Sequence, residues 1–418
     1  MTAPLILDIG LVLLGAAAGG WLARKVGLPA VVGYLAVGLV VSPLTPGYVA
    51  DRDQIHLLAD VGVALLLFEV GIEIDVDRLR NEHRALLLAA PVQVAITLIV
   101  SVAALMWAGL SPAAAGLVGL GVCSSSSVVI VNITRSKRRT TDRPTEHAML
   151  GWSVVQDIVV VVVSVVLLGV IGINDRDPAM ALLAFAAYVV VAVAVAWLLP
   201  RVLKQLRGES DLFLIVSVAA ALSVAALGDF VFGVPLALAA FVAGLAISEG
   251  PTTSEARRRL LPFRDLFAVL FFVAVGSLID PDALMAALPA MALIVALVVI
   301  SKVGVSYVLA RVARLPRPGQ MAVGLGQIGE FSFVIVSAGV AAQIVPLDWF
   351  AAVLGAVVLT IAASAVIARL AGPRASAGPA APAATAAGLW QRRTHASGYP
   401  QGHRRGGRAV YGGGLENR

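Results

Sequence analysis

Apolar positions run along this chain in blocks, not in alternation. Blocks of about 20 residues, long enough to cross roughly 30 Å of hydrocarbon as helix, recur from the first residues to Leu370. Thirteen can be placed, at about 4–23, 28–46, 55–74, 84–108, 112–134, 146–173, 178–200, 210–228, 232–249, 262–280, 282–311, 319–342 and 348–370. This pattern predicts an all-α polytopic membrane protein of about 13 transmembrane helices, because only helices satisfy their own backbone in lipid when the segments are this long and apolar. The third block is the least uniform, since it carries Asp60, Glu69 and Glu73. The opening "MTAPLILDIG" has no basic run ahead of its apolar residues. The first block is therefore expected to stay as a span and not to be removed as a signal.

Two blocks are apolar but broken by small and polar residues. The fifth reads "PAAAGLVGLGVCSSSSVVIVN", with Gly119, Gly121 and the serines 124 to 127; the twelfth reads "GQMAVGLGQIGEFSFVIVSAG", with Gly324, Gly326, Gln327, Gly329 and Glu330. Glycine weakens a helix and serine offers the backbone other hydrogen-bond partners. Unwound backbone at membrane depth is tolerated only where it is buried or lines a cavity. If spans 1–6 and 8–13 are two halves, the broken spans hold the same place in each. The halves enter the membrane from opposite sides, so the repeat is inverted. Matched broken helices in inverted repeats point to the midplane site of a secondary transporter.

Composition and charge sharpen this picture. Hydrophobic residues make up 59% of the 418, charged residues 13%, and mean hydropathy is +0.93, which excludes an ordinary soluble globular chain. Twenty Lys and Arg residues fall in one set of alternate links, from Arg24 and Lys25 to Arg311, Arg314 and Arg317, and two, Arg52 and Arg176, in the other. That bias places the N-terminus outside and the C-terminus in the cytoplasm. It also explains the net charge of +6 by topology and lipid contact, with no nucleic-acid partner. The single cysteine, Cys123, allows no intrachain disulfide and reads as a small buried residue. From 372 to 418 the chain is rich in Ala, Gly, Pro and Arg without periodicity, and a disordered cytoplasmic tail is expected there.

Few ionisable groups lie deep in a block: Asp157 in the sixth, Lys302 in the eleventh and Glu330 in the twelfth. Each costs about 2.5–3.5 kcal/mol at the centre of an inserting helix, so each needs a reason. Ser153 stands one turn before Asp157 and shares a face with it and with Gln156. One reading is a permanent Asp157–Lys302 salt bridge that only sets helix packing. The other is an ion site. Hydrocarbon disfavours the charged carboxylate, which can then hold a proton or a monovalent cation but not both. Lys302 would pair with Asp157 in the unloaded site or offset its charge. Glu330 either satisfies freed backbone amides or takes part in gating. Glu69 and Glu73 lie near the cytoplasmic end of their span, where they can face loop arginines such as Arg78. Two lookalikes are set aside. Gly324, Gly326 and Gly329 spell a dinucleotide fingerprint, but inside a membrane span and not between a strand and a soluble helix. "VVGYL" lacks the glycine and the pore helix of a potassium filter.

The stretches "VVGYLAVGLVVSP", "ADVGVALLLFEVGIEID", "SSSSVVIV", "VVQDIVVV", "PLALAAFVAGLAISE", "LFAVLFFVAVGSLID" and "GQIGEFSFV", in this order from about residue 5 to 370, resemble the monovalent cation:proton antiporter-2 family, closest to its Kef-type potassium/proton branch. The resemblance implies the thirteen-helix sodium/proton exchanger fold, usually a homodimer in the cell membrane. Within a transmembrane domain at 1–371, core helices at about 84–173 and 282–370 would move against scaffold helices at about 4–74 and 210–280. It implies Asp157 as the ion-binding aspartate, Lys302 as the core-helix base, and Gln156 as the neighbour that favours K⁺ over Na⁺. Kef-type proteins usually continue into a C-terminal nucleotide-binding domain; none is present in these 418 residues, and Glu69 is acidic where many relatives are apolar.

These readings predict a K⁺/H⁺ antiporter, not an enzyme and without a cofactor. Proton and cation would compete at Asp157, with Gln156, Ser153, Ser125 and Ser126 as oxygen ligands and Gly121, Gly326, Gly329 and Glu330 at the interrupted helices. The alternatives are a Na⁺/H⁺ antiporter, a gated K⁺ efflux channel, and a membrane sensor that transports nothing.

Overall fold

In the computed structural model the chain is helical throughout the residues it describes, which are 3–26, 28–41, 52–73, 85–134, 141–171, 178–206, 209–247, 253–277, 281–329 and 331–370. Among these no strand occurs, and each of the thirteen predicted spans corresponds to a helix or a broken helix. The first half comprises α1 (Ala3–Val26), α2 (Ala30–Val41), α3 (Arg52–Glu73), α4 (Leu86–Trp107), α5 (Pro112–Cys123), α6 (Ser127–Thr134) and α7 (Arg143–Ile171). The linking helix α8 (Pro178–Gln205) follows. The second half comprises α9 (Ser210–Phe230), α10 (Leu236–Ile247), α11 (Thr253–Ser277), α12 (Pro281–Ala286) and α13 (Leu288–Leu297). It continues through a π-helical segment, Val298–Val303, into α14 (Gly304–Val312), α15 (Pro318–Leu325), α16 (Phe331–Ala341) and α17 (Leu347–Leu370). Seven helices are long and apolar enough to cross a membrane and five shorter apolar ones accompany them.

The helices differ from the predicted blocks mainly at their ends. Apolarity marks where the hydrocarbon stops, whereas backbone hydrogen bonding continues into the polar interface. So α11 begins nine residues before its predicted block, within "TSEARRRLLPF", and α8 continues through Pro200 to Gln205. Glu330 and the tail at 372–418 lie outside the described residues.

The breaks arise locally. Ser111 accepts from Ala114 N at 3.2 Å and Pro112 opens α5, a favourable start. The helix stops at Ser124, whose backbone is extended (φ −81, ψ 153). Ser126 Oγ then accepts from Val129 N at 3.3 Å and caps α6. At the other break α15 ends at Gly326, and Ser332 Oγ donates to the Gly329 carbonyl at 2.7 Å as α16 begins.

Packing sorts the helices into two groups. In one, α3 lies against α9, α10 and α11, and α2 joins α1 to α11. In the other, α4 and α5 pack on α7, α15 on α14 and α17, and α16 on α5 and α17. Helix α8 touches α7 on one side and α9 and α10 on the other, and Tyr188 donates its hydroxyl to the Ala239 carbonyl at 2.5 Å. The first group is held by backbones in direct contact: a Cβ on Gly38 would meet Gly276 Cα at 2.8 Å, the close approach that small residues permit between membrane helices. The groups also meet along α16, where Phe331 packs edge-on against Phe241 of α10 at 5.1 Å and Phe333 against Phe272 of α11 at 6.0 Å. Within α3, Glu69 is 1% exposed.

Candidate functional site

The two breaks lie against each other. Gly329 N donates to the Ser124 carbonyl at 3.0 Å, and Ser125 Oγ donates to the Leu325 carbonyl at 2.8 Å. The Gln327 carboxamide closes a pair with Ser126: Oε1 accepts from Ser126 N at 3.0 Å, and Nε2 donates to the Ser126 carbonyl at 3.0 Å. Each unwound segment therefore supplies the backbone partners that the other has lost. Gly329 is required by proximity, since a Cβ there would meet Ser124 Oγ at 2.9 Å and Ser126 N at 3.0 Å.

The last helix braces the second break from behind. Ile328 N donates to Thr360 Oγ1 at 3.3 Å, and Ser364 Oγ donates to the Val323 carbonyl at 2.7 Å. These hydroxyls stand one turn apart on α17 and serve residues on the two sides of Gly326.

Lys302 reaches this crossing from the π-helical segment and is fully buried. Its ammonium donates to the Ser124 carbonyl and to the Gln327 carbonyl at 2.7 Å, one acceptor from each unwound segment. The Ser124 oxygen belongs to the negative end of α5, where a cation is favoured. The π geometry inserts an extra residue into the turn, which gives this helix a local face that α-helical spacing does not predict. Lys302 is also an electrostatic neighbour of Asp157 and of Cys123. The expectation of Lys302 as a partner for Asp157 alone thus omitted its two backbone acceptors. Cys123 is buried, donating its thiol to the Gly119 carbonyl at 3.2 Å.

Asp157 is 3% exposed and Gln156 and Ser153 are 0% exposed, all on α7. Ser153 Oγ donates back to the Leu150 carbonyl at 3.0 Å. Gln156 turns to α4, where its Nε2 donates to Gln93 Oε1. Of the serines, Ser125 and Ser126 have the partners described above, whereas Ser124 Oγ is buried and receives none. The structure thus brings Gly329, Ser125, Ser126 and Lys302 to one crossing, with Gly121 against Ser332 and Val336 of α16, and Asp157 within electrostatic range of Lys302.

Sequence reasoning missed Gln93, Thr360 and Ser364, and named Gln327 only as one of the residues that break the twelfth span. One signal was present: Gln93, Thr97 and Ser101 recur every four residues along an otherwise apolar span and all are 0% exposed. A regular polar stripe of that kind in lipid needs a partner.

Comparison with known proteins agrees with this architecture. The family model "sodium/hydrogen exchanger, transmembrane" matches residues 11–371. Over 365 residues the chain is 32% identical to the putative cation/proton antiporter YbaL of Escherichia coli (strain K12), covering 83% of this chain and 65% of that one. This chain thus spans about two thirds of the relative's length. Its fold is similar to that of the sodium proton antiporter MjNhaP1 from Methanocaldococcus jannaschii, with a TM-score of 0.71 over 88% of this chain and 99% of the other. At 15% identity that likeness speaks for the fold alone.

Proposed function

The chain belongs to the sodium/hydrogen exchanger family, a family of membrane transporters and not of enzymes, and on that premise we propose that it exchanges a monovalent cation for a proton at Asp157. The observation that carries this reading is a buried carboxylate in an apolar helix, within electrostatic range of the lysine that caps two crossed broken helices. Proton and cation compete for the carboxylate because its surroundings disfavour a bare charge. Gln156, Ser153, Ser125 and Ser126 supply neutral oxygens, and Lys302 offsets charge at the crossing. K⁺ is the preferred cation, on the strength of the Gln156–Asp157 pair, and Na⁺ the second.

The two packing groups suit alternating access: the group holding Asp157 and both broken helices moves against the glycine-packed group around α3. The protein acts in the cell membrane as a homodimer, with its N-terminus outside, and needs no cofactor.

Purified protein in liposomes carrying a pH-sensitive dye tests the proposal. A K⁺ or Na⁺ gradient should move protons, and Asp157→Asn should abolish the movement while leaving the protein folded. Full exchange in Asp157→Asn would refute the site. Cation current without coupled proton movement would replace the antiporter by a channel.

A further inference from the structure

A chain of buried amides and hydroxyls adjoins the exchange site from α4. Thr97 Oγ1 donates to the Ser301 carbonyl at 3.0 Å, the residue before Lys302 in the π-helical segment. Gln93 Nε2 donates to Thr97 Oγ1 at 2.9 Å. Gln93 Oε1 in turn accepts from Gln156 Nε2 and, at 3.5 Å, from the Trp152 indole.

The polarity of this chain is set at its ends. A peptide carbonyl can only accept, and an indole N–H can only donate. Thr97 has one hydroxyl proton, directed at Ser301, so its oxygen must face the NH₂ of Gln93. The Gln93 oxygen then points to Trp152 and Gln156, and Gln156 must present its own NH₂ in reply. The group left over is Gln156 Oε1, which is buried and receives no donor. An amide is ordinarily free to take either orientation; here the neighbours choose one.

A buried carbonyl oxygen without a donor is unfavourable unless something positive takes it up. The geometry points to Gln93 as the positioning residue that turns the oxygen of Gln156, and not its NH₂, towards a cation held at Asp157. An NH₂ in that place would oppose the ion. An oxygen oriented beforehand spares the cation the work of ordering it. A protonated Asp157 asks for a single acceptor, whereas a dehydrated cation needs several oxygens at once, so Gln93 tilts the competition towards the cation.

This inference rests on the exchange site proposed above. Its test is the cation KM at constant pH and the maximal rate, measured in liposomes for Gln93→Met, Thr97→Val and Trp152→Phe. KM should rise about fivefold in Gln93→Met, the scale of one oriented hydrogen bond, with the maximal rate held within about twofold. Thr97→Val and Trp152→Phe should raise it in the same direction, and they answer the question even if Gln93→Met does not fold. In a Gln156→Met background Gln93→Met should add nothing, because it acts through that residue. Unchanged KM in the folded variants overturns the inference, as does a fall in rate without a change in KM, or additivity in the double variant. Failure of the underlying site reads differently. Exchange by Asp157→Asn, or an unchanged KM in Gln156→Met, removes both ideas. A raised KM in Gln156→Met beside a normal one in Gln93→Met removes only this one.

Discussion

Lys302 directs its side-chain nitrogen at two carbonyl oxygens that no helix satisfies. Both belong to unwound backbone; without the lysine the Ser124 oxygen would keep the Gly329 N donor, and the Gln327 oxygen would lose the donor described for it. Hydrogen bonds to a charged donor contribute more than neutral ones, and an acceptor left unsatisfied in a dry interior is penalised further. Lys302→Met keeps much of the length and removes the charge. It should lower stability by about 2–3 kcal/mol, read as a lower melting temperature in detergent. An unchanged melting temperature would mean that the crossing holds together without the ammonium. Gln327 works by the same logic in neutral form, one side chain standing in for a stretch of ladder on the opposite segment.

At the scale of elements, the helix bearing Asp157 is tied at its N-terminal start to the second broken helix. Asp142 Oδ1 accepts from Thr145 N at 2.8 Å and caps α7, while Asp142 Oδ2 lies 2.8 Å from Arg317 Nε at the start of α15. Arg317 has a left-handed backbone there (φ 40). Partial burial pushes the Asp142 carboxyl up, but its hydrogen bonds with Thr145 and the nearby Arg317 outweigh this and hold it below the ordinary aspartate value. A carboxylate depressed by folding stabilises above its unfolded value and loses that contribution as pH falls through the folded one. Asp142→Asn should therefore lower stability at pH 7 by about 1 kcal/mol, the usual scale for a charged cap and an exposed pair. The gap should close below about pH 3.9, the unperturbed aspartate value. A melting-temperature difference that stays constant down to pH 3 would contradict the assignment.

The helices themselves were legible from the blocks of apolar residues, because lipid leaves a long apolar segment little else to become. The two breaks were legible from Gly121, Ser124 to Ser127, Gly326 and Gly329. Their mutual bracing was not. Which serine meets which carbonyl depends on how two distant helices are rotated about their axes, and a single chain's spacing says nothing of that. The π-helical turn at Lys302 was hidden for a similar reason, since "VVISKV" has no residue that demands it.

The whole molecule divides into a group whose helices touch backbone to backbone through Gly38 and Gly276 and a group built on the crossing, with Phe331 and Phe333 of α16 resting edge-on against the first. Edge-to-face rings are directional yet separable, and contribute about 0.5–1.5 kcal/mol beyond burial, suited to a seam that opens and closes. On the proposed cycle this seam must shift in every turnover. Phe241→Cys with Phe331→Cys, in a Cys123→Ser background, should exchange ions when reduced, stop when cross-linked, and recover with reductant. Undiminished exchange at full cross-linking would show that the two groups need not move apart there.

The anchorage of Lys302 also bears on voltage. If the ammonium stays charged on both legs of the proposed cycle, its backbone acceptors leave Asp157 as the group whose charge changes. Either cargo neutralises Asp157 by one unit, and the moving group carries equal charge inward and outward. A membrane potential does work of about 2.3 kcal/mol per elementary charge at 100 mV on any unbalanced movement. With Lys302 charged throughout, the two legs cancel; a proton given up by Lys302 would unbalance them. In the balanced case exchange would run on the two concentration gradients alone, so transport measured at clamped voltage separates the two.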